Sequence, residues 1–467
     1  MSREQSDYDV IVIGAGAAGL TAAIAAADAG SSVLVVEADV QTGGSSRLSG
    51  GHFYAAGTSV QREAGIAEDS ADAMFEHYMT FNQWMVGPSI VRRYCDLSAP
   101  TFEWLTASGV KFPTAMLYVS GVGDVPRGHQ PEGGGQAVVL ALEAQLASRG
   151  IDLVLATRVE HLICDDAGSV SGIETSDGPV NCGSVVVATG GFGANAKLIA
   201  EHYPDAAKAG NWGWYIGSPM AQGDGLKLGQ EVGAALDGHN KGLLLTTPGF
   251  SHDLEVLLPD WLILVNPEGR RFVNETAPYT VLGGLIQRQG GTVFAIFDEA
   301  IRAAAKRTPF FNAYWVDEVL AQKADEGIII RAESIEALAE QTEIDPKALK
   351  GTIDRYNKDC DQGGDSVFFK KTQGAPQPIE TAPFYAVEVR PAIICWTGTG
   401  LRVDAEVSVL GTDDQPIPGL FAAGETVGSL HGDRYIGGGG SFGPCIVFGK
   451  LAGENAAAYA SGRRIEP

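Results

Sequence analysis

The chain has 467 residues, of which 45% are hydrophobic, and a formal net charge of −24. The length makes two domains the expectation, and the charge argues against nucleic acid and anionic membrane surfaces as partners. No apolar run approaches the length of a membrane span. Six cysteines (Cys95, Cys164, Cys182, Cys360, Cys395, Cys445) lie scattered, with no CxxC pair and no His/Cys group at metal spacing. Reduced thiols and a cytoplasmic location are therefore expected. The first strand begins within about ten residues of the start of the sequence, so no signal peptide is expected.

Asp9 to Ile13 is a short apolar, β-branched run, the pattern of a buried parallel strand. It leads into Gly14-Ala15-Gly16-Ala17-Ala18-Gly19 and an Ala/Leu-rich helical segment that stops at Gly30. A second apolar run, Ser32 to Val36, closes on Glu37 and Ala38. Gly14 permits the tight turn, Gly16 lets the backbone approach a pyrophosphate, and Gly19 lets helix and strand pack closely. The helix N-terminus offers N–H groups and a positive dipole end to phosphate. Glu37 is placed to accept hydrogen bonds from an adenosine ribose. This order of elements predicts a dinucleotide-binding unit.

Gly43-Gly44-Ser45-Ser46, followed by Ser49-Gly50-Gly51-His52, forms a glycine/serine loop directly after the ribose-binding acid. Small residues here let a flat ring system lie against the backbone, although composition alone also fits a linker. Residues 66–109 read mostly helical, with Ser70 or Asp72 as caps and a stop at Gly109. A further helix is expected over Ala137 to Arg149, after Gly133-Gly134-Gly135. Short strands then follow at Leu153 to Ala156, His161 to Cys164, Val170 to Thr175 and Ser184 to Ala188. The last of these ends in Thr189-Gly190-Gly191, which returns the chain to the cofactor. Gly223-Asp224-Gly225 starts another helix.

Residues 246–384 differ in character, being rich in aromatic residues, with helical stretches at Ser334 to Gln341 and Pro346 to Tyr356. They read as an inserted second domain between a first part, 1–245, and a second part, 385–467, of the nucleotide-binding domain. Trp261, Phe310, Phe311 and Trp315 are expected in its core. Ala423-Gly424-Glu425 leads to a last glycine loop, Gly437 to Gly443, and a final helix from about Pro444 to Ala460.

Six motifs in order carry a family resemblance: the Gly14–Gly19 loop with Glu37, Gly43-Gly44-Ser45, Ala188-Thr189-Gly190-Gly191, Gly223-Asp224-Gly225, Arg271-Phe272-Val273-Asn274-Glu275 and Ala423-Gly424-Glu425. The chain resembles the flavoprotein superfamily of fumarate reductases, succinate dehydrogenases and 3-ketosteroid dehydrogenases over essentially its whole length. The resemblance implies an α/β fold in which a Rossmann-type FAD-binding domain is interrupted by an α+β capping domain that closes over the flavin. It implies non-covalent FAD and hydride exchange between flavin N5 and a carbon–carbon bond. Glu425 would pair with the flavin ribityl chain. Gly440, Ser441, Gly443 and Pro444, at the start of the final helix, would aim a helix dipole at the flavin pyrimidine. Glu275 takes either a structural or a proton-relay role.

Fumarate reductases resemble His-Gly-Ala-Asn-Arg-Leu-Gly-Gly-Asn in the last loop, where the arginine clamps a carboxylate. Here His431-Gly432-Asp433-Arg434-Tyr435-Ile436-Gly437-Gly438-Gly439 puts Tyr435 at the clamp and Arg434 one residue earlier. Cys395-Trp396-Thr397-Gly398 stands where those enzymes carry a substrate-binding histidine, and Thr276-Ala277-Pro278-Tyr279 stands where they carry an arginine. A dicarboxylate site needs fixed positive charge. The replacements are instead similar to the 1-ene-forming 3-ketosteroid dehydrogenases. By this resemblance Tyr435 and the Gly439 N–H hold a ketone oxygen, and Tyr279 as phenolate removes a proton beside the ketone. That family has a second, upstream tyrosine, for which Tyr118 and His129 are the candidates here.

The leading expectation is desaturation of a hydrophobic ketone, most simply a 3-ketosteroid, with electrons passing to an acceptor the sequence does not name. A flavin ene-reductase acting on another α,β-unsaturated substrate is the second reading, and a non-catalytic flavin-binding protein the third. His52 lies either close to the flavin or in solvent, and Trp396 either lines the pocket or packs beneath it.

Overall fold

Tyr8–Ile13 forms the centre of an eight-stranded sheet in the computed structural model, which describes residues 6–251, 257–307, 314–428, 430–432 and 434–463. The strand is buried through Val10–Ile13 because parallel neighbours flank it on both edges, which explains its unbroken apolar run. Val33–Val36 pairs with it on one side and Gly178–Val187 on the other. Asp152–Val154 extends the sheet beyond Val33–Val36, and Pro416–Ala422 extends it beyond Gly178–Val187, both in parallel. Val159–Cys164 and Val170–Thr175 continue antiparallel from Gly178–Val187.

The chain falls into two compact units, one of Met1–Pro204, Gly217–Leu243 and Cys395–Pro467, the other of Asp205–Ile216 and Leu244–Ile394. In the first, the helix Ala17–Asp28 packs against the helix Phe442–Ala460. The approach is so close that a Cβ on Gly449 would lie 2.4 Å from Ala18 O, and one on Gly453 2.1 Å from Ala22 O. A small antiparallel sheet of Phe53–Tyr54, Pro126–His129 and Leu117–Val119 also belongs to this unit.

The second unit is built on a six-stranded sheet around the long strand Phe384–Thr397. Val293–Asp298 and Ile330–Ala332 pair antiparallel with it, and Trp214–Tyr215 pairs in parallel. Trp261, Phe297 and Trp315 meet edge-to-face in its core, with Trp261–Trp315 centroids 6.0 Å apart. Phe310 and Phe311 lie outside the described residues.

The stretch 66–109 is mostly helical, as two helices, Ala71–Phe81 and Pro88–Ala107. Ser70 caps the first by accepting the Ala73 N–H. Between them Gln83 and Trp84 take φ values of 54° and 60°, a left-handed turn built without glycine. The helix expected from Ala137 begins earlier, at Gly134, because Gly133 turns the chain at φ 75°. Its first turn must be glycine: a Cβ on Gly135 would lie 2.0 Å from Ser46 O.

Candidate active site

A cleft of about 860 Å³, part of it open to solvent, runs along the C-terminal ends of the parallel strands in the first unit. Gly14, Gly16, Ala17 and Ala18 line it from the first turn, and Glu37 and Ala38 from the end of the second strand. Gly44, Ser45 and Ser46 border it from the serine loop, Ala188, Thr189 and Gly190 from the next strand end, and Gly424 and Glu425 from the last. Glu37 Oε2 accepts the Ala15 N–H at 2.7 Å, and Oε1 accepts the Asp39 N–H at 2.8 Å. The N-terminus of the helix Ala17–Asp28 faces the cleft, with Gly16 at the cap and the Ala17 N–H donating to Ser46 Oγ at 3.1 Å. Gly44 and Gly190 have open space where a Cβ would be, as a backbone laid against a ligand requires. Glu425 is deeply placed, its Oε1 accepting both the N–H and the hydroxyl of Thr397 at 2.9 Å, and burial raises its carboxyl above the usual range.

Other expected contacts sit one layer back. A Cβ on Gly19 would fall 1.8 Å from Gly14 O, and Gly43 donates its N–H to Ala15 O at 2.8 Å. Ser49, Gly50 and Gly51 brace the loop: Ser49 O accepts the Gly135 N–H, and Ser49 Oγ donates to Ser46 O. Gly225 packs under Thr189 and Thr426. Gly440, Ser441, Gly443 and Pro444 belong to the turn and first residues of the helix Phe442–Ala460.

That turn carries an aromatic cluster. Tyr435 is buried, with its ring 6.0 Å from Trp396 and 6.2 Å from His431, while the Trp396 and His431 rings lie 4.5 Å apart, tilted by 45°. Burial pushes the Tyr435 phenol well above its usual value, so it is a neutral donor. Burial likewise lowers His431 to about 4, leaving a neutral ring. Trp396 is therefore part of the cluster itself, and its buried indole N–H has no partner among the described residues. The Gly439 N–H, beside Tyr435 in the same turn, also has none. Arg434 donates to Phe81 O at 3.1 Å, away from this cluster.

His129 and Tyr118 separate cleanly. His129 is buried, with Nε2 2.8 Å from Thr58 Oγ1 and Nδ1 2.9 Å from Arg127 O, and burial lowers it to about 4. Both its nitrogens are spent on structure. Tyr118 instead meets His52 through its hydroxyl.

In the second unit Tyr279 is half-buried and opens the helix Tyr279–Gln287, with Pro278 at the cap. Asn274 shapes the approach by accepting the Thr276 N–H and hydroxyl. Glu275 has a structural job. It pairs with Arg271 at 2.7 Å and Lys370 at 3.4 Å and accepts the Leu264 N–H at 3.1 Å, all in the interior.

Sequence reasoning missed several cleft residues. Thr157, Arg158 and Val159 line it because Asp152–Val154 lies beside Val33–Val36, a pairing between elements far apart in the chain. Ser218 enters by donating its N–H to Ser45 Oγ at 2.9 Å, and Arg158 pairs with Asp224 at the rim.

The parallel sheet, the helix N-terminus at Gly16 and the acid that closes the second strand define a dinucleotide-binding oxidoreductase fold. The family model described as FAD binding domain matches residues 9–441. A fumarate reductase (cytochrome) of Shewanella frigidimarina is 32% identical over 472 residues, covering 98% of this chain and 78% of that protein. The structure of 3-ketosteroid Δ4-(5α)-dehydrogenase from Rhodococcus jostii superposes with TM-score 0.78 at 29% identity, covering 98% of both chains. That of 3-ketosteroid Δ1-dehydrogenase from Sterolibacterium denitrificans gives 0.80 at 25% identity, covering 97% of this chain and 99% of the other. The chain belongs to the FAD-binding family of fumarate reductase-type flavoproteins. It is an FAD-dependent oxidoreductase acting at carbon–carbon double bonds.

Proposed function

We propose that this protein desaturates the carbon–carbon bond next to a ketone, with a 3-ketosteroid or similar cyclic ketone as substrate. The observation that carries the reading is the pairing, in one turn, of a buried neutral tyrosine with a backbone donor that has no partner among the described residues: Tyr435 and the Gly439 N–H. Two such donors suit a ketone oxygen that gains charge as its α-proton leaves. They suit a carboxylate poorly, and the loop's own arginine is turned to Phe81.

In this reading Gly16, Ala17, Glu37, Gly44, Gly190 and Glu425, which line the cleft, would hold FAD. Bound FAD supplies the hydride acceptor. Tyr435 and Gly439 fix the ketone oxygen and stabilise the enolate. Tyr279, as phenolate, would take the proton from the α-carbon. A phenolate near neutrality requires a tyrosine pKa well below about 10. An external acceptor then removes the electrons.

The test is dye-coupled oxidation of saturated and 4-ene 3-ketosteroids by FAD-loaded protein. Turnover that vanishes in Tyr279→Phe supports the reading, whereas absence of turnover with every steroid removes the substrate class. The similarity to a fumarate reductase supports a second reading, an ene-reductase acting on another α,β-unsaturated compound. It requires reduced protein to be reoxidised by an enone faster than oxidised protein is reduced by the saturated ketone.

A further inference from the structure

The second unit holds a cavity of about 750 Å³, part of it open to solvent, that the proposed reaction leaves unused. One wall is a stripe of the helix Pro346–Asp361, where Lys347, Gly351 and Arg355 recur every fourth residue and so share a face. Another is the turn that ends in Arg270, whose N–H donates to Asn266 Oδ1 at 2.9 Å. Gly269 seats this turn on the helix. Thr352 Oγ1 donates to Gly269 O at 2.6 Å, and a Cβ on Gly269 would lie 2.9 Å from Leu349 N. Tyr356 also lines the cavity; its ring is buried, and its hydroxyl, beside the Cys360 thiol, has no hydrogen-bond partner among the described residues.

The charges here do not balance. Among the described residues neither Arg270 nor Lys347 has an ion-pair partner, in a chain whose net charge is −24. By contrast Lys350, on another face of the same helix, pairs with Asp354 at 2.9 Å. Asp359 is the one carboxylate lining the cavity, and it already accepts the Ser366 N–H at 3.1 Å and Arg355 Nε at 3.4 Å. Asp345, at the helix cap, accepts the Ala348 N–H at 2.7 Å. Arg271 lies over the Tyr356 and Phe368 rings and is neutralised by Glu275 and Asp365. Lys347 stands in the first helical turn, which holds no acid and where the dipole disfavours a cation. Gly351 weakens the middle of the helix. Packing does not require it, since a Cβ there would meet nothing within 4 Å; what its absence preserves is the opening of the cavity.

We propose that this cavity binds a small phosphate-bearing anion, with Arg270 and Lys347 as its cationic ligands and Gly351 leaving room for it between Lys347 and Arg355. A phosphate dianion matches two uncompensated cations in charge. The guanidinium offers paired N–H donors to two phosphate oxygens, and the ammonium adds a point charge. Bound anion also relieves the conflict between Lys347 and the helix dipole. The volume is that of a small-molecule site, with space beside the phosphate for an organic body. Binding is non-covalent, and none of these residues takes part in the proposed ketone chemistry, so the two readings stand or fall separately.

Titration calorimetry with pyrophosphate tests the site in FAD-saturated protein, because bound FAD fills the cleft whose glycine turn would otherwise take the same anion. Saturable binding to the wild type is expected. It should weaken at least about tenfold in the double variant Arg270→Gln/Lys347→Gln, which loses two charge-assisted contacts. Both side chains are exposed, so the unfolding temperature of the double variant should stay at the wild-type value. Gly351→Leu fills the opening with a better helix former and should also weaken binding. Lys350→Gln, off the stripe, should leave it unchanged. Succinate, a dianion without a phosphate group, should bind more weakly than pyrophosphate. No saturable binding to the wild type, unchanged affinity in the double variant, or equal affinity for succinate overturns the proposal.

Discussion

Ser441 donates its backbone N–H to the hydroxyl of Tyr435 at 3.2 Å, and its own hydroxyl lies 3.1 Å from the same oxygen. The residue that ends the glycine turn thus fixes the phenol that the turn presents. Tyr435→Phe removes the donor and leaves the turn's backbone in place. Turnover should fall about 10²–10³-fold, the usual cost of one oxyanion donor, while the flavin absorbance per protein stays at the wild-type value.

Glu37 ties the first glycine turn to the second strand through the N–H groups of Ala15 and Asp39. Glu37→Ala loses two charge-assisted bonds, each worth about 1.5–3 kcal/mol where fully formed. The dissociation constant for FAD, measured by recovery of flavin fluorescence, should rise at least tenfold. Glu37→Gln should fall between the two.

The contact of Gly449 with Ala18 O predicts a steric effect with no change in the cleft's chemistry. Gly449→Val should lower stability by about 1–3 kcal/mol or more through overpacking. Gly351→Ala is the natural contrast, since a Cβ there meets nothing within 4 Å in the middle of the helix Pro346–Asp361. It should raise stability by about 0.4–1 kcal/mol. Urea titrations of both variants check the sign.

Acid should loosen the second unit in a defined window. Burial pushes the Asp365 carboxyl up, but the Arg271 guanidinium outweighs it and holds the group at about 2, against an ordinary 3.8. A depressed folded-state pKa gives stability that is present above the unfolded value and lost as pH falls toward the folded one. Thermal unfolding temperature should therefore drop between about pH 4 and pH 2, and Asp365→Asn should flatten that slope.

The nucleotide unit was legible because each residue does a local job: Gly14 turns, Gly19 yields to Gly14 O, and Val10–Ile13 is apolar for both faces of a parallel sheet. What escaped depends on pairings that no local pattern encodes. Tyr118 and His52 meet only because Gly128 sets the register between two- to four-residue strands. The break at Gln83 and Trp84 places two non-glycine residues at positive φ, against their intrinsic preference. Between the two roles left open for Glu275, only the fold decides, because its partner Lys370 lies far downstream and is itself buried, with its ammonium donating to Leu262 O at 2.8 Å.

The seating of Gly453 on Ala22 also sets a timetable for synthesis. Ala22 sits in a helix that leaves the ribosome well before its partner Gly453, 431 residues later in the chain. At roughly 5–20 residues per second, the interval is on the order of 20–90 s. Throughout it an Ala-rich apolar surface stands uncovered on the growing chain, so chaperone capture should concentrate on the first helix and stop once Phe442–Ala460 docks.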